Sequence, residues 1–138
     1  MYISETKLIV RYAETDKMQI VHHSNYLIFF ETARTEFIKG SGMSYSQMEE
    51  NNIMLPLVES NCKYIAGAKY EDELTVKAWI KELTPVKVQF NYLVIREKDG
   101  KEIARGSTTH AFVSSNAFKI INMKKKHLEV FEKLKALI

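Results

Sequence analysis

The sequence predicts an α+β domain in which one large antiparallel sheet packs on one long apolar helix, and three observations carry that prediction. In "SNYLIFFETARTEFIKG", Tyr26, Phe30, Ala33 and Phe37 follow i, i+4, i+7, i+11 spacing and make one apolar helical face. Leu74, Val76, Ala78 and Ile80 alternate with Thr75, Lys77, Trp79 and Lys81, and Val86, Val88, Phe90, Tyr92 and Val94 do so against Lys87, Gln89 and Asn91. Asp99–Gly100 then reads as a type I′ hairpin turn into "KEIARGSTTHAFVSS". One helix against one sheet gives two layers around one core.

Taken in order, "ISETKLIVRY" ends in a β-branched run and reads as a first strand over 3–12. Ser24 and Asn25 offer N-cap chemistry for the long helix, which runs to about Lys39, and Gly40 and Gly42 supply its stop signals. From Tyr26 to Phe30 the helix is apolar on every side, which a sheet wrapping around it would explain, while Glu31, Arg34, Thr35 and Glu36 restore polarity later. A shorter helix fits Ser44 to Glu50, and four or five strands follow between Ile53 and Ile121. With Asp99 and Gly100 as the whole turn, Val88 falls opposite Ala111 and Phe90 opposite Thr109, leaving Gln89 to face His110. "KKKHLEVFEKLKA", 124–136, forms a short amphipathic helix.

Composition narrows the function classes. At 138 residues the chain fits one domain, 1–138, able to bury about 70% of its unfolded surface. Its 46% hydrophobic and 27% charged residues suit a soluble globular protein. Charges close behind Met1 argue against a signal peptide, and the longest uncharged run in the first half, 18–30, falls short of a membrane span. Cys62 is the one cysteine, so no internal disulfide forms, and a cytoplasmic setting is expected. A net charge of +3 permits an anionic ligand without demanding nucleic acid.

Several chemistries drop out. There is no G-x-S-x-G elbow and no glycine-rich phosphate loop. His22 and His23 are adjacent, so their side chains should diverge, and no H-x-x-x-H or C-x-x-C spacing points to a metal. Cys62 reads as a buried structural thiol, and Lys124–Lys126 as a solvated helix face. His110 falls on a polar strand face and, like His127, has no evident partner.

On spacing alone, a loop or capping role is the readier reading of Asp16. Its position just before the apolar helix allows another. A helix N-terminus offers unpaired N–H groups and a positive dipole end to a developing oxyanion, and a carboxylate upstream can act on the polarised carbonyl or on water.

"AETDKMQIVHHSNYLIFFETARTEFI" resembles the signature of hotdog-fold acyl-CoA thioesterases of the 4-hydroxybenzoyl-CoA thioesterase type. The likeness continues through "LPLVESNCKYIAGAKYEDELTV" and covers most of residues 5–115. It implies a hotdog domain that hydrolyses an acyl-CoA or acyl-carrier-protein thioester without a cofactor, coenzyme A being part of the substrate, and that works as a homodimer or homotetramer. In that pattern Asp16 is the catalytic base or nucleophile, and His23 supplies a backbone N–H, with side-chain assistance, to the thioester oxygen. Val21, Asn25 and Tyr26 shape the pocket, and Leu55, Pro56 and Val58 line the acyl site of a neighbouring subunit. Two departures stand out. Gln19 replaces a common Gly, and Thr84–Pro85–Val86 replaces basic residues that grip the nucleotide phosphates, for which Lys63, Lys81 and Lys87 are candidate substitutes. The alternative is a non-catalytic acyl-CoA-binding module, against which Asp16 argues.

Overall fold

Alternation in the second half of the chain builds a five-stranded antiparallel sheet in the order β1-β4-β5-β6-β3. These are β1 (Ser4–Ile9), β3 (Leu57–Tyr64), β4 (Glu73–Leu83), β5 (Lys87–Arg96) and β6 (Glu102–Ala111). A small second sheet pairs β2 (Ile53–Met54) with β7 (Val113–Ser114). The computed structural model describes residues 1–43 and 45–138. Its helices are α1 (Ser24–Gly40), α2 (Tyr45–Glu50), α3 (Met123–Lys126) and α4 (Leu128–Lys135), with a single 3-10 turn at Tyr12–Glu14. Ser44, expected to open α2, lies outside the described residues.

The core sits between α1 and the sheet. Leu74, Val76, Ala78 and Ile80 of β4 and Val88, Phe90, Tyr92 and Val94 of β5 are all buried, as alternation requires. From α1 come Tyr26, Phe29, Phe30, Ala33, Phe37 and Ile38. Phe30 stacks on Tyr92 with ring centroids 4.4 Å apart, and Phe37 meets Phe90 edge-on at 5.4 Å. Gly106, opposite Tyr92 in register, makes room for this stack. A Cβ there would run into the Phe30 ring and the Asn61 carbonyl. This is the hotdog arrangement, an antiparallel sheet packed on one long central helix.

Several sequence expectations change. β1 stops at Ile9, and the chain turns through Tyr12–Glu14 before reaching Asp16. The N-cap of α1 is His23, with no side-chain cap, rather than Ser24 or Asn25. Gly40 stays inside the helix, and Gly42, at φ +87°, is the residue that lets the chain leave. The C-terminal segment is two helices, because His127 leaves helical geometry at φ −139°, ψ 56°. α1 is not buried all round: Leu27 and Ile28 are 40% and 54% exposed, since a sheet on one side can bury only a stripe. Cys62 is partly exposed because β3 is an edge strand, with Leu57, Val58 and Tyr64 also open to water.

The largest correction is the β5–β6 register. Val88 pairs with His110, Phe90 with Thr108 and Gln89 with Thr109. The turn takes four residues, with Arg96 N–H bonded to Lys101 O and Gly100 at φ +68°. That change alone shifts the pairing by two and preserves facing. A β-bulge between Ile95↔Glu102 and Val94↔Ala104 then inserts Ile103, and one extra residue turns every later side chain over. Thr108 and His110 therefore point into the core beside Phe90, not outward beside Gln89.

Candidate active site

Asp16 sits at the mouth of a tight turn. Thr15 bridges Val21, Asp16 N–H donates to Ile20 O at 3.0 Å, and Gln19 N–H returns to Asp16 O at 2.8 Å. Closing so short a loop needs one left-handed residue, and Gln19 supplies it at φ +68°. The residue that replaces a common Gly thus adopts a backbone conformation for which glycine is suited. Asp16 Oδ1 accepts the Met18 N–H at 2.8 Å, which fixes the carboxylate, while Oδ2 has no protein hydrogen bond among the described residues.

Asn25 locks this loop to α1. Its side-chain amide donates to Glu14 O at 2.9 Å, and the same carbonyl accepts the His22 N–H at 2.8 Å. Asn25 therefore positions the segment carrying Asp16 and does not line the cleft. In the first turn of α1, Ser24 N–H donates to His22 Nδ1 at 3.3 Å, Asn25 N–H to His22 O at 3.0 Å and Tyr26 N–H to His23 O at 3.2 Å. The His23 N–H reaches no acceptor among the described residues. His22 and His23 do not diverge: their rings lie 4.1 Å apart, with His22 Nδ1 2.8 Å from the Ser24 hydroxyl.

Asp16, Val21, His23 and Tyr26 come together around a cleft of about 320 Å³, closed by Met18, Ile20 and Tyr64–Gly67. The opposite wall is the chain leaving β3, and the β6 bulge holds it in place. The Ile103 carbonyl accepts both Ile65 N–H, at 2.9 Å, and Ala66 N–H, at 3.1 Å. Sequence reading missed this wall because nothing in its spacing marks it; only the bulge and the Val21 N–H bond to Ala68 O, 2.8 Å, bring it beside Asp16. Leu55, Pro56 and Val58 do not reach the cleft from within this chain. Nor do Lys63, Lys81 or Lys87, the proposed phosphate ligands.

Two titratable groups in and beside the cleft are shifted by burial. Burial pushes the Cys62 thiol up, which disfavours the thiolate. Burial, with Cys62 and Tyr64 nearby, pushes the Tyr26 phenol up to about 12, so it is a neutral wall of the cleft. A larger cleft of about 480 Å³ lies between α2 and the C-terminal helices. It is lined by charged and amide side chains, among them Glu50, Glu129, Lys126 and Lys133, and by the first turn of α4. No group of three or more His, Cys, Asp or Glu fit to hold a metal occurs among the described residues. None of their helices is long and apolar enough to cross a membrane.

Residues 10–131 match the family model described as the thioesterase-like superfamily. The chain is 34% identical over 125 residues to the "Putative acyl-CoA thioesterase YneP" of Bacillus subtilis (strain 168), covering 91% of this chain and 90% of that protein. A "Putative esterase" of Aquifex aeolicus (strain VF5) is 35% identical over 123 residues, covering 89% and 93%. Among solved structures, the DHNA-CoA thioesterase from Staphylococcus aureus superposes with a TM-score of 0.92 at 32% identity, over 99% of this chain and 91% of that one. The fold thus recurs in a solved thioesterase structure, and this chain belongs to the thioesterase-like superfamily.

Proposed function

We propose that this protein is an enzyme that hydrolyses an acyl-CoA or acyl-carrier-protein thioester to a free acid and a thiol, in the manner of the 4-hydroxybenzoyl-CoA thioesterase type. The observation that carries the proposal is the pairing, in one largely apolar cleft, of Asp16 with the unpaired His23 N–H at the start of α1. The names of the relatives support the reaction class.

In this reading the thioester carbonyl oxygen lies against the His23 N–H, where the helix dipole favours developing negative charge. Asp16 Oδ2 removes a proton from water as the water oxygen adds to the carbonyl carbon. The tetrahedral oxyanion collapses, the C–S bond breaks, and the departing sulfur takes up the proton. Direct attack by Asp16 would give an anhydride that water then opens, with the same products. The chemistry uses no cofactor; coenzyme A enters only as part of the substrate. Val21 and Tyr26 contact the acyl group and Asn25 holds the loop. Leu55, Pro56 and Val58 complete the acyl site of a neighbouring subunit, so the working form is a homodimer or homotetramer of one-domain chains, 1–138, in the cytoplasm.

Asp16→Asn tests the proposal against a panel of acyl thioesters. The substitution keeps shape and the bond to Met18, and kcat should fall by ~10²–10⁴, the range for a positioned acid–base group. Wild-type turnover in the variant, or no turnover by the wild type on any thioester, overturns it.

A further inference from the structure

The small β2–β7 sheet carries an apolar row that stands partly in water. Val113 pairs with Met54 on one side and bridges Ile120 on the other, so the three side chains share one face. Val113 is buried, whereas Met54 is 38% and Ile120 61% exposed. Two residues before Ile120, Phe118 is 62% exposed and holds φ +53°, in the left-handed region where a bulky side chain is rare.

Phe118 belongs to a turn that is closed on itself. Its N–H donates to Ser114 O and the Ser114 N–H to Lys119 O, both at 2.8 Å, and Lys119 N–H reaches the Ser114 hydroxyl at 3.3 Å. Residues 115–120 are exposed without a break, so the turn projects from the body of the domain. Behind it the chain is anchored. Ile121 N–H donates to Phe112 O at 2.8 Å, and Met123 N–H to Pro85 O at 2.7 Å. The tip is therefore held in shape while its ring stays in water.

Lysines crowd the same end of the molecule. Lys119 stands between Phe118 and Ile120, and Lys124, Lys125 and Lys126 follow in α3. All four are exposed, and none has an ion pair among the described residues. No carboxylate occurs in the chain between Glu102 and Glu129. Residues 115–138 hold six lysines against two glutamates, a charge of +4 where the whole chain carries +3. We propose that this end is a docking surface for an anionic lipid bilayer: Phe118, Ile120 and Met54 enter the headgroup boundary, and the lysines meet the anionic headgroups. A protein partner asks for a groove or a flat patch of matching shape, whereas a projecting apolar tip among cations suits a surface that yields around it. Each lysine close to an anionic bilayer is worth about fivefold in affinity, and shallowly buried apolar side chains add to that. Such binding is reversible and leaves the chain peripheral, and it is independent of the chemistry at Asp16.

The test is co-sedimentation with vesicles of phosphatidylglycerol in phosphatidylcholine. The wild type should bind vesicles of about 40% phosphatidylglycerol, ignore pure phosphatidylcholine, and come off as sodium chloride is raised to about 0.5 M, where screening is strong. Lys124→Gln/Lys125→Gln/Lys126→Gln should weaken binding about 100-fold. Phe118→Asn/Ile120→Ser should weaken it about 10-fold, and asparagine accepts the left-handed backbone, so the turn persists. In Phe118→Trp, brominated lipid should quench the new indole well beyond the Trp79 signal of the wild type. No binding to the anionic vesicles, equal binding to both lipids, or binding that survives either set of substitutions overturns the proposal, as does an unquenched indole. If light scattering shows Phe118→Asn/Ile120→Ser as a smaller oligomer than the wild type, the patch is a subunit contact and the proposal falls. Binding to an acidic carrier protein in place of vesicles, lost in the same variants, makes it a protein-docking surface and overturns the bilayer reading. Circular dichroism checks that each variant folds; should the double variant not fold, Phe118→Asn alone decides.

Discussion

His110 Nδ1 lies 3.1 Å from the Leu55 carbonyl oxygen, and its Nε2 lies 2.9 Å from the Thr108 hydroxyl. A carbonyl only accepts, so Nδ1 carries the proton and Nε2 accepts from Thr108. Thr108 in turn pairs with Tyr92 at 2.6 Å, and Arg34, which cannot accept, donates to Tyr92 at 3.3 Å. The chain of bonds runs one way, from guanidinium to imidazole, and ends on the loop that leads into β3. It holds His110 neutral.

Burial, then the Arg34 charge, pushes the His110 imidazole down to about 4. The unfolded state takes up its proton near pH 6.5, whereas the folded state does not until about pH 4. Stability from this group is thus fully present above pH 6.5 and is lost as pH falls toward 4. The loss should approach ~3 kcal/mol at pH 4. Urea unfolding at pH 7, 5 and 4 measures it, and His110→Gln should flatten the curve; an equal slope in that variant would assign it to the carboxylates.

Phe90 and Gln89 test the orientation of the sheet. Phe90 packs on Phe37 inside, while Gln89 points outward and bonds to Asn91 at 3.2 Å. Phe90→Ala should cost ~3–5 kcal/mol, as emptying a core aromatic site does. Gln89→Ala should stay within ~0.5 kcal/mol. Chemical denaturation compares them directly, and a larger loss at Gln89 would contradict the register.

Gln19→Gly should stabilise the fold. A side chain in the left-handed region costs roughly 1–2 kcal/mol, and the extra backbone freedom of an unfolded Gly returns about 0.5–1 kcal/mol of that. The net gain should be about 0.5–1 kcal/mol, read as a higher Tm. A lower Tm would mean that the Gln19 side chain makes contacts that outweigh the backbone cost.

His23→Ala separates ring from backbone. The N–H at the start of α1 survives the substitution, so kcat should fall by about 10-fold or less, well short of Asp16→Asn. Equal losses in two folded variants would give the imidazole a direct part in the reaction.

Val58→Glu addresses assembly. β3 is an edge strand with Leu57 52% and Val58 57% exposed, an arrangement that invites pairing with another chain. The wild type should scatter light as a dimer or larger at micromolar concentration, and the variant should shift toward monomer and lose activity with it. A fully active wild-type monomer would contradict the proposed shared site.

The long helix and the two alternating strands were legible in the sequence because each rests on local periodicity, and the closeness of Asp16 to the start of that helix because they are neighbours in the chain; His23 was singled out through the family resemblance. Phe30, Phe37, Val88 and Phe90 entered the core for that reason, and Asp16 met His23 because only one tight turn separates them. Other features depended on long-range packing. A single inserted residue, Ile103, turned Thr108 and His110 from the outer face to the core, since strand facing has a period of two and no local signal records a bulge. The same bulge aimed one carbonyl at Ile65 and Ala66 and so built the far wall of the cleft. Leu27 and Ile28, apolar in sequence, stayed in water because a single sheet covers only one side of a helix. That Asp16 and His23 lie close together was a matter of neighbours along the chain; what surrounds them was decided where distant strands met.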